Sequence, residues 1–359
     1  MITLILLILL TLIPLLSFSF QISGLRRIFT FTTARSITMF EDRLNIGNDV
    51  EIAKLGIGTW AWGDKFFWKY KAEEDENLQA SFNYLVDKGV NFFDTAEIYG
   101  IGKSELLLGR FLRQYEAKEK RVEIGTKFAP LPWRVGAKEV VSACKDSLDR
   151  LGLNQMALYQ LHWPGVWQNE AYWDGLAQCY EQGLVKSVGV SNYGPEQLKK
   201  IYKVLKSRNI PLATNQIQYS LLNRDPESNG ILRTARELNV TILAYSPLAQ
   251  GLLTGKYNET YLPTGSRSTL AKSVVPKITN LISVLKEIAN TRDKTVSQVA
   301  LNWCIAKGTV PIPGVRSLSQ AEDNAGALGW LLDDDEVIRL DTAARLSGAT
   351  YGVSFLQGK

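Results

Sequence analysis

An α/β fold, a (β/α)8 TIM barrel, is what this sequence predicts, and three observations carry it. From about residue 50 onward, short β-rich runs alternate with stretches of helical period. Eight such runs can be counted, each followed by a helical stretch. The runs are hydrophobic along their length, as strands of a parallel sheet covered by helices are. Eight units of this kind suggest closure into a barrel.

The strands in order are LGIGTW (55–60), NFFDTA (91–96), VEIGTK (122–127), MALYQLH (156–162), KSVGVSN (186–192), ATNQIQY (213–219), TILAYSP (241–247) and TVPIPGV (309–315). Between them, EDENLQASFNYLVDKG and VVSACKDSLDRLG repeat apolar residues at three and four, and Gly follows the last turn. A doubly wound sheet also alternates strand and helix, but it wants a Gly-rich turn entering a helix after its first strand. Here LGIGTW leads into WGDKFFW instead. Residues 40–54 precede the first strand, and a small hairpin plugging the barrel bottom is expected of them. Residues 248–290 are too long for a simple connection and carry Gly, Pro and Ser, so a flexible loop over the active face is expected there. No linker or second domain is evident.

Residues 1–40 read as a targeting leader, leaving 41–359 as the single barrel domain. Residues 2–17 are almost wholly apolar, about the length of a signal-peptide core and short for a membrane span, with Pro14 interrupting them. Ser17 and Ser19 are small residues before a candidate cut at Phe20. Gln21–Phe40 is Arg-rich, rich in Ser and Thr, and free of acids before Glu41, which is the transit-peptide composition. Together they suggest a bipartite leader to a complex plastid; a secreted or membrane-anchored protein is the alternative. No stable membrane insertion is expected of the mature domain.

Composition narrows the rest. In 359 residues, 45% hydrophobic and 21% charged describe an ordinary globular chain, and the net charge of +5 comes partly from the leader. No basic block stands out beyond it, so nucleic acid is not the expected partner. Cys144, Cys179 and Cys304 all fall in helical segments without ligand spacing, and read as buried free thiols rather than a disulfide or zinc site. The chain holds one histidine, His162.

Barrel enzymes carry their chemistry at the C-terminal ends of strands. There the second strand ends in Asp94-Thr95-Ala96 with Tyr99 just beyond, the third in Lys127 and the fourth in His162. Taken singly, the aspartate reads as a helix cap, the lysine as a surface charge and the tyrosine as packing. Together they form a device for carbonyl reduction. Hydride addition leaves an alkoxide, which a tyrosine hydroxyl protonates. A nearby ammonium is expected to lower the phenol's pKa, and a carboxylate to hold that ammonium charged. A histidine beside them orients the carbonyl oxygen, with no metal required.

These same segments resemble the aldo-keto reductase family. FFDTAEIYG with KSELLLGR is similar to its first signature, SLDRLGLNQMALYQLHWPG with GLVKSVGVSNYG to its second, and VPIPGVRSLSQAEDNAGAL to its third. The similarity spans roughly residues 50–345, and GIGTWAWGD and LPWR look most like its plastid-located plant and pyridoxal reductase-like members. The resemblance implies that Asp94, Tyr99, Lys127 and His162 are the catalytic tetrad and that the cofactor is NADP(H). It implies nicotinamide carboxamide contacts from Ser191, Asn192 and Gln216, and stacking of Tyr245 on the nicotinamide ring. Ser246, Leu248 and Gln250 would line the pyrophosphate, with Lys256 and Arg267 reaching it from the long loop. Gly314, Arg316, Gln320, Asp323 and Asn324 would hold the adenosine end, and Gly58, Thr59 and Trp60 would also face the cofactor.

One departure matters. Monomeric members of the family carry Lys-Ser after the Pro of the last motif and an Arg further on; here those positions are Gly314, Val315 and Gln320. Arg316 is then the nearby cation for a 2′-phosphate, and guanidinium geometry suits phosphate. Trp60, Trp62, Trp68, Trp133, Trp163 and Trp167 fall near strand-end loops, which favours an apolar or planar aldehyde or ketone as the small-molecule substrate. Two competing functions stand beside this one: an NADP-binding redox sensor with little turnover, as the channel β-subunits of the family suggest, and a glycosidase. The glycosidase needs carboxylates at two separated strand ends, and only Asp94 is clear.

Overall fold

Eight parallel strands form one sheet in the computed structural model, which describes residues 42–115, 120–167, 169–264 and 268–352. A two-stranded antiparallel hairpin, β1 (Arg43–Ile46) and β2 (Val50–Ala53), comes first. The barrel strands are β3 (Gly56–Gly58), β4 (Phe92–Asp94), β5 (Glu123–Phe128), β6 (Met156–Leu161), β7 (Val185–Ser191), β8 (Leu212–Gln218), β9 (Thr241–Tyr245) and β10 (Val310–Ile312). Each pairs in parallel with the next in the chain. The eight-strand expectation therefore holds, although the first and last strands are much shorter than their apolar runs.

The seam between β10 and β3 closes through a parallel bridge from Gly58 to Gly314, and the Gly58 N–H donates to the Pro313 carbonyl at 3.0 Å. Glycine is needed here because the backbones approach so closely. A Cβ on Gly56 would lie 2.6 Å from the Phe92 ring and 3.0 Å from Ile312 Cγ2. The hairpin stoppers the N-terminal end of the barrel: Ile46, Val50 and Ile52 are fully buried in one cluster with Phe92, Leu158, Leu243, Val310 and Ile312. The Ser187 hydroxyl, reaching from inside the barrel, donates to the Ile46 carbonyl.

The helices fall on the outside. They are α1 (Asp75–Asp87), α2 (Lys103–Gln114), α3 (Ala137–Leu151), α4 (Asn169–Glu181), α5 (Pro195–Lys206), α6 (Asp225–Ser228), α7 (Ile231–Glu237), α8 (Ser268–Val274), α9 (Thr279–Arg292), α10 (Val296–Ala306), α11 (Leu318–Ala325) and α12 (Asp334–Ser347). Their apolar stripes pack on the strands in two further clusters. The two capping-box starts, Thr295 with Gln298 and Asp333 with Glu336, satisfy the first N–H groups of α10 and α12.

The expectation of a loop over 248–290 needs correction. A 3₁₀ turn occupies Ala249–Thr254, α8 and a second 3₁₀ turn follow from Ser268 to Ile278, and α9 then packs Leu281, Leu285 and Ile288 into the core. Apolar spacing in TNLISVLKEIANTR outweighs the Gly, Pro and Ser upstream of it. Trp62 is a second correction, since it lines no pocket. It is fully buried against Phe93 and Phe111, and its indole N–H donates to the Val315 carbonyl at 2.8 Å. Cys144, Cys179 and Cys304 are buried free thiols. The leader and Arg267 lie outside the described residues. Among the described residues, no helix is long and apolar enough to cross a membrane.

Candidate active site

The C-terminal ends of β4, β5 and β6 bring the four expected side chains together. Asp94 is the last residue of β4 and Lys127 the penultimate residue of β5, so both project into the barrel mouth. Their side chains are 2% and 0% exposed, and Lys127 Nζ lies 2.6 Å from Asp94 Oδ2. Nζ also donates to the Thr95 carbonyl at 2.7 Å. The other carboxylate oxygen accepts from Gln216 Nε2 at 2.7 Å and from Gln160 Nε2 at 3.4 Å. A buried carboxylate needs this many partners, because desolvation is costly unless the charge is paired and hydrogen-bonded.

Tyr99 lies on the turn after β4, its ring centroid 5.0 Å from Lys127 Nζ. His162 follows β6 directly and meets the Tyr99 ring edge to face, with centroids 5.6 Å apart. Its backbone N–H donates to the Phe128 carbonyl, and its Nδ1 is buried without a hydrogen-bond partner. Burial, with the Lys127 charge behind it, pulls the imidazole well below its usual pKa near 6.5 and keeps it neutral.

Where Lys127 was expected to lower the Tyr99 pKa, burial dominates in the resting site. Burial, reinforced by the Asp94 carboxylate, holds the phenol well above its ordinary value of 10.0. Burial also lowers Lys127 itself, more strongly than Asp94 restores it. The resting site thus holds a protonated phenol and a neutral imidazole beside the Lys127–Asp94 pair.

Sequence reasoning missed the groups that brace these four. Gln160, inside β6, ties Asp94 to Thr214. Ser104, at the start of α2, gathers the Thr95 and Thr59 hydroxyls within 2.9 Å and donates to the Thr59 carbonyl. That network fixes the Thr95 peptide whose carbonyl receives Lys127. The signal was present in KSELLLGR, but a serine near a helix start reads first as a cap.

A second constellation lies beside the tetrad. Ser191 ends β7, and Asn192 follows it with a left-handed φ of 62°. The Asn192 amide donates to the His162 carbonyl and accepts from the Tyr245 hydroxyl, at 3.1 and 3.0 Å. Ser191 Oγ donates to the Gln216 carbonyl at 2.8 Å. Ser191, Asn192, Gln216 and Tyr245 are thus one hydrogen-bonded group. After β9 the backbone is unusual: Ser246, Ala249 and Gln250 all have positive φ, and Gly251 follows at 97°. Non-glycine residues in that region cost on the order of 1 kcal/mol or more each, and such strain concentrates at ligand sites. Turning backbone of this kind makes a concavity of N–H groups suited to phosphate. Leu248 is half-buried there, and Lys256 is exposed over the Tyr257 ring.

The remaining expected contacts come from either side of the seam. Arg316 donates to Glu74, and its backbone N–H to Gln320 Oε1 at 2.8 Å. Asp323 accepts from the Thr295 hydroxyl, and Asn324 donates weakly to Gly314. Thr59 has its N–H and hydroxyl on the Asp94 carbonyl, while Gly58 belongs to the seam. Trp60 stacks on Phe67 at 5.1 Å, meets Trp68 edge to face and tilts over Tyr99 at 6.4 Å. Trp163 leans on His162 at 4.8 Å, whereas Trp133 and Trp167 are exposed.

The sequence model of the aldo/keto reductase family matches residues 54–345, which includes every one of these groups. The chain belongs to the aldo/keto reductase family. Among similar members is the chloroplastic pyridoxal reductase of Arabidopsis thaliana, 47% identical over 309 residues, covering 83% of this chain and 85% of that protein. The yakc [NADP(+)] aldo-keto reductase of Schizosaccharomyces pombe is 29% identical, covering 85% and 93%. Among solved structures, the glycerol dehydrogenase of Gluconobacter oxydans superposes with a TM-score of 0.74 at 29% identity, covering 84% and 94%. An aldo-keto reductase from Klebsiella pneumoniae in complex with NADPH superposes at 0.68 and 26% identity, covering 85% and 95%. This family of oxidoreductases supplies the barrel, and the side chains above decide what this member does on it.

Proposed function

We propose that this aldo/keto reductase uses NADPH to reduce a small aldehyde or ketone to an alcohol, with Tyr99 as the general acid. One observation carries the reading: a protonated Tyr99 phenol lies over the Asp94-paired Lys127 and against a neutral His162. A carbonyl oxygen seated between the phenol and the imidazole meets a proton donor and an orienting hydrogen bond. Bound NADPH supplies the hydride. As negative charge develops on the substrate oxygen, the Tyr99 proton moves to it, and Lys127 stabilises the phenolate left behind. Asp94 favours the charged form of Lys127 through that moment.

The residues fit the cofactor. Ser191, Asn192 and Gln216 would take the carboxamide, and Tyr245, with its hydroxyl tied to Asn192, would present its ring to the nicotinamide. The strained backbone at 246–251 would take the pyrophosphate with Ser246, Leu248 and Gln250, and Lys256 and Arg267 would add charge. Arg316, Gln320, Asp323 and Asn324 would hold the adenosine end. The NADPH complex of the Klebsiella relative supports NADP(H). For substrate, the Trp60 and Trp163 rings beside Tyr99 and His162 favour a flat aldehyde, and pyridoxal is the first compound to try, given the activity named for the Arabidopsis relative. A plastid location rests on the leader composition and the chloroplastic relative. An NADPH-oxidation screen over aldehydes and ketones, pyridoxal included, tests the reading. Tight NADPH binding with no turnover across the panel would give the function to cofactor sensing instead.

A further inference from the structure

The cation expected to read the 2′-phosphate already has an anion. Arg316 Nη2 donates to both oxygens of Glu74, at 2.9 and 3.0 Å, across 242 residues of chain. The two side chains are 35% and 27% exposed, so the pair sits at the surface, where an incoming ligand can reach it. Only one guanidinium nitrogen is used in this pair, and Nε is buried with no hydrogen-bond partner. Arginine–carboxylate pairs are frequently bidentate through two guanidinium nitrogens, and this one uses only Nη2.

The neighbourhood sharpens the point. Glu74 closes the 3₁₀ turn Ala72–Glu74 that leads into α1, within a run of four carboxylates from Glu73 to Glu76. Asp75 is paired with Arg110 and accepts from the Tyr70 hydroxyl. Glu74 has Arg316. The loop bearing Arg316 is held independently, by Gln320 on its own N–H and by Asn77 Oδ1 on the Leu318 N–H. Losing the ion pair therefore leaves the loop in place and releases only the guanidinium.

Resting on the reading of Arg316 as the 2′-phosphate group, we propose that Glu74 is an internal competitor for it and sets the NADPH-to-NADH preference. The phosphate must displace the Glu74 carboxylate, or share the guanidinium with it at the cost of like-charge repulsion. NADH, which lacks the phosphate, is indifferent to Glu74. The acid thus holds phosphate affinity below what Arg316 alone would give, an instance of specificity tuned by a repulsive group.

The test is equilibrium titration of the full chain with NADPH and with NADH, read by quenching of tryptophan fluorescence, for wild type, Glu74→Gln, Arg316→Ala and the double variant. Glu74→Gln is expected to tighten NADPH by about three- to five-fold, the scale of a half-exposed ion pair, and to leave NADH unchanged. In the Arg316→Ala background the same substitution is expected to change neither. Weaker NADPH binding by Glu74→Gln would mean that Glu74 poses Arg316 for the phosphate, and would overturn the proposal. So would an unchanged NADPH affinity, an equal shift for both cofactors, or the same tightening without Arg316. If Arg316→Ala weakens both cofactors equally, the 2′-phosphate reading itself falls and takes this one with it. A selective loss there with an inert Glu74→Gln sinks the competition alone. Thermal melting of each variant, expected near wild type, excludes a folding cause.

Discussion

Lys127 Nζ stands 5.0 Å from the centre of the Tyr99 ring, over the face of the phenol that the proposed mechanism deprotonates. Removing the hydroxyl alone tests this arrangement. Tyr99→Phe keeps the ring and its contact with the ammonium, so NADPH binding is expected to stay near wild type. Carbonyl reduction is expected to fall by about 10²–10⁴, the range of general acid catalysis. Ordinary turnover by the variant would remove Tyr99 from the chemistry.

The pH profile follows from the two shifted groups. The imidazole is held neutral because its pKa lies well below 6.5, and the phenol is held protonated because its pKa lies well above 10.0. Neither changes charge through the neutral range, so kcat/KM for reduction is expected to be flat from about pH 6.5 to 9 and to decline only at higher pH, as a raised phenol pKa requires. A limb centred near pH 6.5 in a pH-rate profile would instead place the donated proton on His162.

Asp94→Asn tests the counterion. The substitution keeps shape and hydrogen-bonding capacity but leaves Lys127 buried without its charge partner. Breaking such a pair costs about 3–5 kcal/mol when the remaining charge persists. Burial already lowers the Lys127 pKa, so part of that cost is relieved by deprotonation, and a loss of about 2–3 kcal/mol is expected in urea unfolding. Stability equal to wild type would show that the pair has no net structural weight.

Gly56→Ala probes the barrel seam. The added methyl would meet the Phe92 ring at 2.6 Å and Ile312 at 3.0 Å, and neither has open space to retreat into. A loss of about 1–3 kcal/mol is expected from overpacking, with a lower melting temperature. An unchanged melt would mean that the seam yields more easily than its packing implies.

The leader makes its own prediction. A fluorescent fusion of residues 1–45 is expected to reach the plastid, and deleting residues 20–40 is expected to strand it in the secretory route. A fusion left in the cytosol would end the leader reading, and one retained uncleaved in a membrane would favour an anchor.

The strands were legible because burial on both faces of a parallel sheet writes itself as apolar runs, and the hairpin because a short polar-apolar segment preceded the first of them. Asp94, Tyr99, Lys127 and His162 were legible because strand ends are few and their chemistry combines. Gln160 was not: a single amide inside MALYQL reads as an interruption of the run, and only the closed barrel turns it toward Asp94. The pairing of Arg316 with Glu74 was not legible either, because nothing local links residues 242 apart. Helix α9 was read as loop because glycine and proline upstream dominated the segment.

Closing the barrel at Gly58 and Gly314 has a consequence for biosynthesis. The tetrad is complete once the ribosome has passed His162, yet Arg316 and the seam partner of Gly58 emerge some 150 residues later. A growing chain therefore carries Tyr99 long before it owns Arg316 and the closed seam. Pairing the first strand with the last is the contact of longest sequence separation in the sheet, the kind that forms late and slowly. On the proposed reading of Arg316, nucleotide capture is thus left to a chain whose seam has closed.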